Sequence, residues 1–190
     1  MTGADAQPTV VTYLLLLRGI NVGGRNRLPM ADLRALTTAL GFEDVITYLQ
    51  SGNLVCTGTG PAGDAAVRVA DSLRDELGLT VPVVARTSGD WAEVLAGNPF
   101  TSDEEDPKKL HVTFLDGVPD ADQVAGLDAE AGSFAPDRLA IAGADVYLHF
   151  PGGYADTPLQ NAFLERRLGR VATTRNWRTV TVLAGMIGLL

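Results

Sequence analysis

The sequence is poor in the side chains that build many active sites. It has one cysteine, Cys56, and two histidines, His111 and His149. A single cysteine excludes an internal disulfide and a cysteine-rich zinc site. Neither histidine has a second ligand at metal-binding spacing, so no metal site is expected. Cys56 stands in an apolar run and reads as a small core residue rather than a nucleophile. Aromatic residues make up 6% of the chain, and the paired aromatics of an RNA-recognition sheet are missing from DVITYLQSGNLVCTG, Asp44 to Gly58. Positive charge is scarce: 15 Lys and Arg against 23 Asp and Glu give a net charge of −8, which argues against bulk attraction to nucleic acid. Long apolar runs are missing too. Val180 to Leu190 falls short of the roughly 20 residues a membrane helix needs, and MTGADAQPTV has neither the basic nor the apolar region of a secretory leader. Residues 1–10 read as a loose tail, no membrane partner is expected, and the expected setting is reducing and cytoplasmic.

What is there is an ordinary globular composition, 46% apolar and 20% charged over 190 residues, enough for one domain or two small ones. The chain is organised around Tyr13 to Leu40. An apolar strand, Thr12 to Leu17, feeds a glycine- and arginine-bearing loop, Gly19 to Leu28. Pro29 then opens a helix whose Leu33, Leu36 and Leu40 keep helical spacing before Gly41 ends it. Two β-rich runs follow around Ser51-Gly52-Asn53 as a hairpin. A helix from Ala62 to Leu77 ends at Gly78, and the strand LTVPVVAR carries Pro82, which points to a sheet edge. The order β-α-β-β-α-β predicts a ferredoxin-like plan.

Residues 88–97 form a short helix broken by Asn98-Pro99-Phe100, and an acidic, solvated linker runs from Thr101 to Pro107. The plan then restarts. Strand Leu110 to Leu115 leads to a helix near Asp120 to Glu130. Strands Arg138 to Ile141 and Val146 to Phe150 follow, then a helix from Pro158 to Leu168, a last strand from Arg170 to Thr174 and a terminal helix from Asn176 to Leu190. The expected fold is therefore α+β: two ferredoxin-like (α/β-plait) subdomains in tandem, antiparallel sheets with helices on one face, plus a C-terminal helix. The expected boundaries are a tail at 1–10, a first subdomain at 11–87, a connector at 88–107 and a second subdomain at 108–190.

Topology adds a prediction that no motif makes. In this plan the loop after the first strand and the turn between the second and third share one end of the sheet. Arg18, Asn21, Gly23, Gly24, Arg25, Asn26, Ser51 and Asn53 then converge on one rim, the way polar groups gather at a site. Glycine and asparagine are also what tight turns require, so two readings stand side by side. The loop is no Walker A motif, because Arg25-Asn26 stands where Lys-Ser/Thr is needed, and it is not G-x-G-x-x-G. An anion nest with a forked arginine remains.

A second unusual stretch is Thr173 to Trp177. One reading makes Asn176 a helix cap and Trp177 a core plug; the other has Arg175, Asn176 and Trp177 binding a ligand. Ser51 has no nucleophile elbow, and no pair of carboxylates or base–nucleophile pair stands out. No catalytic residue is assigned, no cofactor is indicated, and whether the protein is an enzyme stays open.

These residues resemble a bacterial family of uncharacterised proteins, the domain of unknown function 1697 family. The matching pieces are LLRGINVGGRNRLPMADLRAL, TYLQSGN, NPF, KKLHVTFL and ATTRNW, spread over almost the whole chain. The resemblance implies two α/β-plait subdomains and no activity. Two departures from the family's pattern are Arg178, where Asn is expected after TRNW, and Thr157, where serine is common. The expected function is binding of a small anionic or nucleotide-like ligand at the rim, with Arg175 reaching over from the second half. The alternatives are a nucleic-acid-binding module, disfavoured by charge, or an interaction protein whose final apolar helix makes a homodimer.

Overall fold

The computed structural model describes residues 9–190. Most of the expected tail lies outside the described residues, and Val10 already belongs to the first strand. The chain divides into two compact units, Met1–Ser88 and Gly89–Leu190. The first contains β1 (Val10–Leu17), α1 (Met30–Ala39), β2 (Glu43–Tyr48), β3 (Asn53–Thr59), α2 (Ala62–Leu77) and β4 (Val83–Thr87). Its four strands pair antiparallel in the order β2-β3-β1-β4. Alternate residues of β1 and β3, among them Tyr13, Leu15, Leu54 and Cys56, face α1 and α2 and bury Leu33, Leu36, Val69 and Leu73. Strand alternation meeting helical spacing makes this core, and each fully buried leucine contributes about 1.5–3 kcal/mol. Pro61 precedes α2, and Gly78 closes it in the left-handed region, the end that the sequence predicts. Pro82 stands just ahead of β4, an edge strand.

The second unit repeats the plan. After α3 (Ser88–Gly97) come β5 (Leu110–Leu115), α4 (Ala121–Glu130), a short 3-10 turn, β6 (Arg138–Ala142), β7 (Asp145–His149), α5 (Asn161–Leu168), β8 (Ala172–Asn176) and α6 (Trp177–Met186). The sheet order is β6-β7-β5-β8. Leu115, Val146 and Leu148 pack against Leu127, Leu164 and Leu168. The next residue along β5, Phe114, faces the other way. There the indole of Trp91 on α3 stacks on it at 4.9 Å and 7° and donates to the Val180 carbonyl of α6 at 3.2 Å.

Four sequence expectations change here. The helix at 88–97, expected within a connector, packs with the second unit and covers its second sheet face. The tryptophan plugging the core is Trp91, fully buried, whereas Trp177 is only half-buried. The acidic run is not simply solvated: Asp103 and Glu104 are held by side chains of this unit, as described below. The last strand also runs on to Asn176, so Thr173–Asn176 is a strand end rather than a free loop.

The two units match residue by residue at the strand ends. Leu17 N–H bonds the Gly52 carbonyl and Leu115 N–H the Ala144 carbonyl, each at 2.9 Å. Arg18 N–H meets the Pro82 carbonyl at 2.9 Å, and Asp116 N–H meets that of Val171 at 3.0 Å. Arg86 pairs with Leu14 in one sheet and Arg175 with Val112 in the other. Arg18 thus corresponds to Asp116, Gly52 to Ala144, Tyr13 to His111 and Arg86 to Arg175.

Candidate functional site

The loop after β1 is anchored at both ends by the buried side chains of Ile20 and Leu28. Between them the chain folds back on itself. Asn21 N–H bonds the Asn26 carbonyl and Arg25 N–H that of Val22, both at 3.1 Å. Gly23 and Gly24 turn the corner at φ +58° and +76°, the paired positive values that a type I′ turn needs. Asparagine side chains fix the shape. Asn21 Nδ2 donates to the carbonyls of Leu28 (2.9 Å) and Gln50 (2.8 Å), and its Oδ1 accepts from Leu28 N–H at 2.9 Å. Asn26 Nδ2 donates to the Gly19 carbonyl at 3.0 Å. Asn53, buried, donates to the Tyr48 carbonyl at 2.9 Å and to Ser51 Oγ at 3.1 Å.

The loop and the hairpin turn therefore meet at one end of the sheet. Asn21 bridges the loop to the hairpin turn, and that turn lies so close to β1 that a Cβ at Gly52 would sit 2.7 Å from the Leu17 Cβ. The asparagines hold backbone, so their amides position the rim. What the rim presents is Arg18, half-buried, and Arg25 and Arg27, exposed. Arg25 and Arg27 make no ion pair among the described residues. Residues 18–28 and 45–53 contain these three arginines and no Asp or Glu.

Arg175, Asn176 and Trp177 lie in the second unit. Arg175 is buried in β8, its Nη1 donating to Thr173 Oγ1 at 2.8 Å and the Thr174 carbonyl at 2.9 Å. Burial pulls its pKa down to about 10, against the opposing influence of Tyr154, so it stays cationic at neutral pH. Asn176 Oδ1 accepts from Thr179 N–H at 2.9 Å and caps α6. Its counterpart strand carries a residue that the sequence reading missed. Arg86 is equally buried and donates to the Ala85 carbonyl at 2.8 Å. The signal was present as VART (Val84–Thr87) against TTRN (Thr173–Asn176), legible once the last strands of the two plaits are aligned.

A polar cluster at the start of β6 was also missed. Arg138 Nε and Nη2 lie 3.2 and 3.1 Å from His149 Nδ1. A guanidinium only donates, so the proton of His149 is on Nε2, which donates to Glu104 Oε2 at 3.2 Å. Lys109 Nζ approaches the same oxygen at 3.3 Å, and Arg138 also pairs with Asp103 at 3.0 Å. The Asp106 N–H, His149 and Lys109 hold the Glu104 carboxyl near a pKa of about 2. With both ring nitrogens occupied, His149 has no lone pair to offer a substrate.

His111 is buried between the rings of Tyr154 (4.9 Å) and Phe150 (5.2 Å). Burial pushes its pKa down to about 4, opposed by a bond to the Lys109 carbonyl, and its Nδ1 has no partner. Burial likewise lifts the Cys56 thiol to about 12, consistent with a core residue. Among the described residues no group of three or more His, Cys, Asp or Glu side chains is arranged to hold a metal ion, and no helix is long and apolar enough to cross a membrane.

A model of the family described as a protein of unknown function, DUF1697, matches residues 10–147. The structure is similar to that of the conserved bacterial protein SP0830 from Streptococcus pneumoniae, with a TM-score of 0.76 and 24% identity over 94% of this chain and 99% of that one. At that identity the likeness speaks for the fold. No curated protein matches the chain.

Proposed function

This chain belongs to the DUF1697 family, and since that family carries no assigned activity we propose a function from geometry: binding of a small anionic or nucleotide-like ligand at the Arg18–Asn26 loop and Ser51–Asn53 turn. One observation carries the reading. In a chain of net charge −8, a loop shaped by asparagine side chains presents Arg25 and Arg27, exposed and with no acid in either segment of the rim. A loop already held in shape loses little entropy on binding. Gly23 and Gly24 N–H groups form the cradle, Arg25 is the forked donor, and Asn21, Asn26 and Asn53 position the rim. No reaction is assigned.

A thermal-shift panel of nucleotides, sugar phosphates, amino acids, cofactors and short RNA tests it. A ligand at about 100 times its Kd adds roughly 2.7 kcal/mol, a shift on the order of 5–10 °C in a chain this size. The expected result is a phosphate-bearing hit that Arg25→Ala abolishes. A hit indifferent to Arg25→Ala, or a blank panel, contradicts the placement.

A further inference from the structure

Resting on that anion-binding reading, we propose that the ligand is a phosphate monoester with an aliphatic chain, the phosphate on Arg25 and Arg27 and the chain on Val22 and Leu49. Both are among the most exposed large apolar side chains described, at 68% and 53%. The bond from Asn21 Nδ2 to the Gln50 carbonyl joins their chain neighbours, which ties the two to one rim.

Leu49 makes the argument sharper. Its φ is +58°, in the left-handed region where turns ordinarily place glycine or asparagine. The nearby Asn21 and Asn26 follow that rule. Position 49 instead keeps a branched apolar side chain, in a strained backbone and turned out to water, the pattern expected where strain serves a contact. An apolar patch rimmed by charge marks a binding surface, and Arg25 and Arg27, exposed and without an ion pair among the described residues, select an anionic head. The choice of an aliphatic body over a nucleobase follows from the lining. Tyr48 is the only aromatic residue in the two rim segments, and it is half-buried, so little ring surface is offered for stacking. The corresponding loop of the second unit also exposes an apolar residue, Val118 at 62%, but between Asp116 and Asp120, with the Arg170 guanidinium near Gly117, so acids share that rim with the cation.

Isothermal titration of the full chain with methyl, butyl and hexyl phosphate tests the inference, with AMP and anionic phospholipid vesicles as further arms. Each methylene that becomes buried strengthens binding about threefold to fourfold, so hexyl phosphate should bind at least about tenfold more tightly than methyl phosphate. Leu49→Gly, which suits the backbone there, and Val22→Ser should each flatten that chain-length dependence. Arg25→Ala should weaken all three esters together. Equal affinity for the three esters in the unaltered protein overturns the aliphatic assignment and leaves the anion reading intact. Absence of binding by every phosphate overturns both. AMP binding more tightly than hexyl phosphate replaces the chain with a base. Vesicles binding where hexyl phosphate does not replaces the soluble ligand with a membrane surface.

Discussion

Leu17-Arg18-Gly19 and Leu115-Asp116-Gly117 stand at the same place in two copies of one plan and carry opposite charge. In the first unit the chain leaves its central strand through an eleven-residue loop, Arg18 to Leu28, built on Gly23-Gly24 and asparagine bonds. In the second it passes through DGVPD directly into α4, and Asp116 Oδ1 turns back to accept from Val171 N–H at 3.1 Å. The corresponding place there is a groove of about 390 Å³ lined by Val118, Val124, Ile141 and Asp128 among others. The shared fold therefore does not require a glycine pair or bridging asparagines at this rim, and its second copy sets Arg170 near Gly117 among acids. The second unit serves as an internal control, separating what the plait needs from what the first unit adds.

The largest way to break the comparison is at the hairpin turn. A side chain at Gly52 would strike Leu17 and Ile20 and would also sit at φ +76°. Gly52→Val is expected to cost up to about 5 kcal/mol, whereas Ala144→Gly, its counterpart, should cost about 1 kcal/mol or less. Denaturant melts of the two variants check this.

The next contrast lies between Tyr13 and His111. Tyr13 places its hydroxyl on the Gly60 carbonyl at 2.6 Å, while His111 keeps Nδ1 unpartnered. Its folded pKa of about 4 lies below the ordinary value of 6.5, so the unfolded chain binds more protons between these values. Stability is full above about pH 6.5 and falls as pH drops towards 4, by on the order of 3 kcal/mol. His111→Phe should remove that slope in a pH series of melts, and Tyr13→Phe should leave it. Glu104, held near pKa 2, adds a lower window. Its stabilisation is present above about pH 4.3 and is lost as pH falls towards 2, a loss that Glu104→Gln should remove.

Asn21→Ala, which deletes three bonds with no counterpart in the second unit, should cost about 2 kcal/mol and loosen the loop, read as faster amide exchange at Gly23 and Gly24. Smallest is Leu49→Gly, which should raise stability by up to about 1 kcal/mol, read in the same melts. No change or a loss there would mean that Leu49 relaxes without strain.

Much of this was legible in the sequence because each level pointed the same way. Helical spacing at Leu33 and Leu36, the Gly78 cap and the Ser51–Asn53 turn all agree with one topology, and topology alone brought the rim together. What was hidden depends on side chains meeting across long separations. Glu104 and His149 are 45 residues apart, and nothing in an acidic run tells which charges find partners. Trp91 and Trp177 look alike in sequence, since periodicity does not say which sheet face a helix will cover. Arg86 escaped because the two copies share element order but few residues, so its match to Arg175 emerges only from strand register.

The central claim, that the first unit's rim binds an anion and the second unit's does not, is tested most directly by titrating methyl phosphate into isotopically labelled protein and following backbone amides. The account predicts saturating shifts at Gly23, Gly24 and Arg25, with Gly117 and Gly143 of the second unit unmoved. Shifts centred on Gly117 and Gly143, or no saturating shift at the first rim, would contradict it.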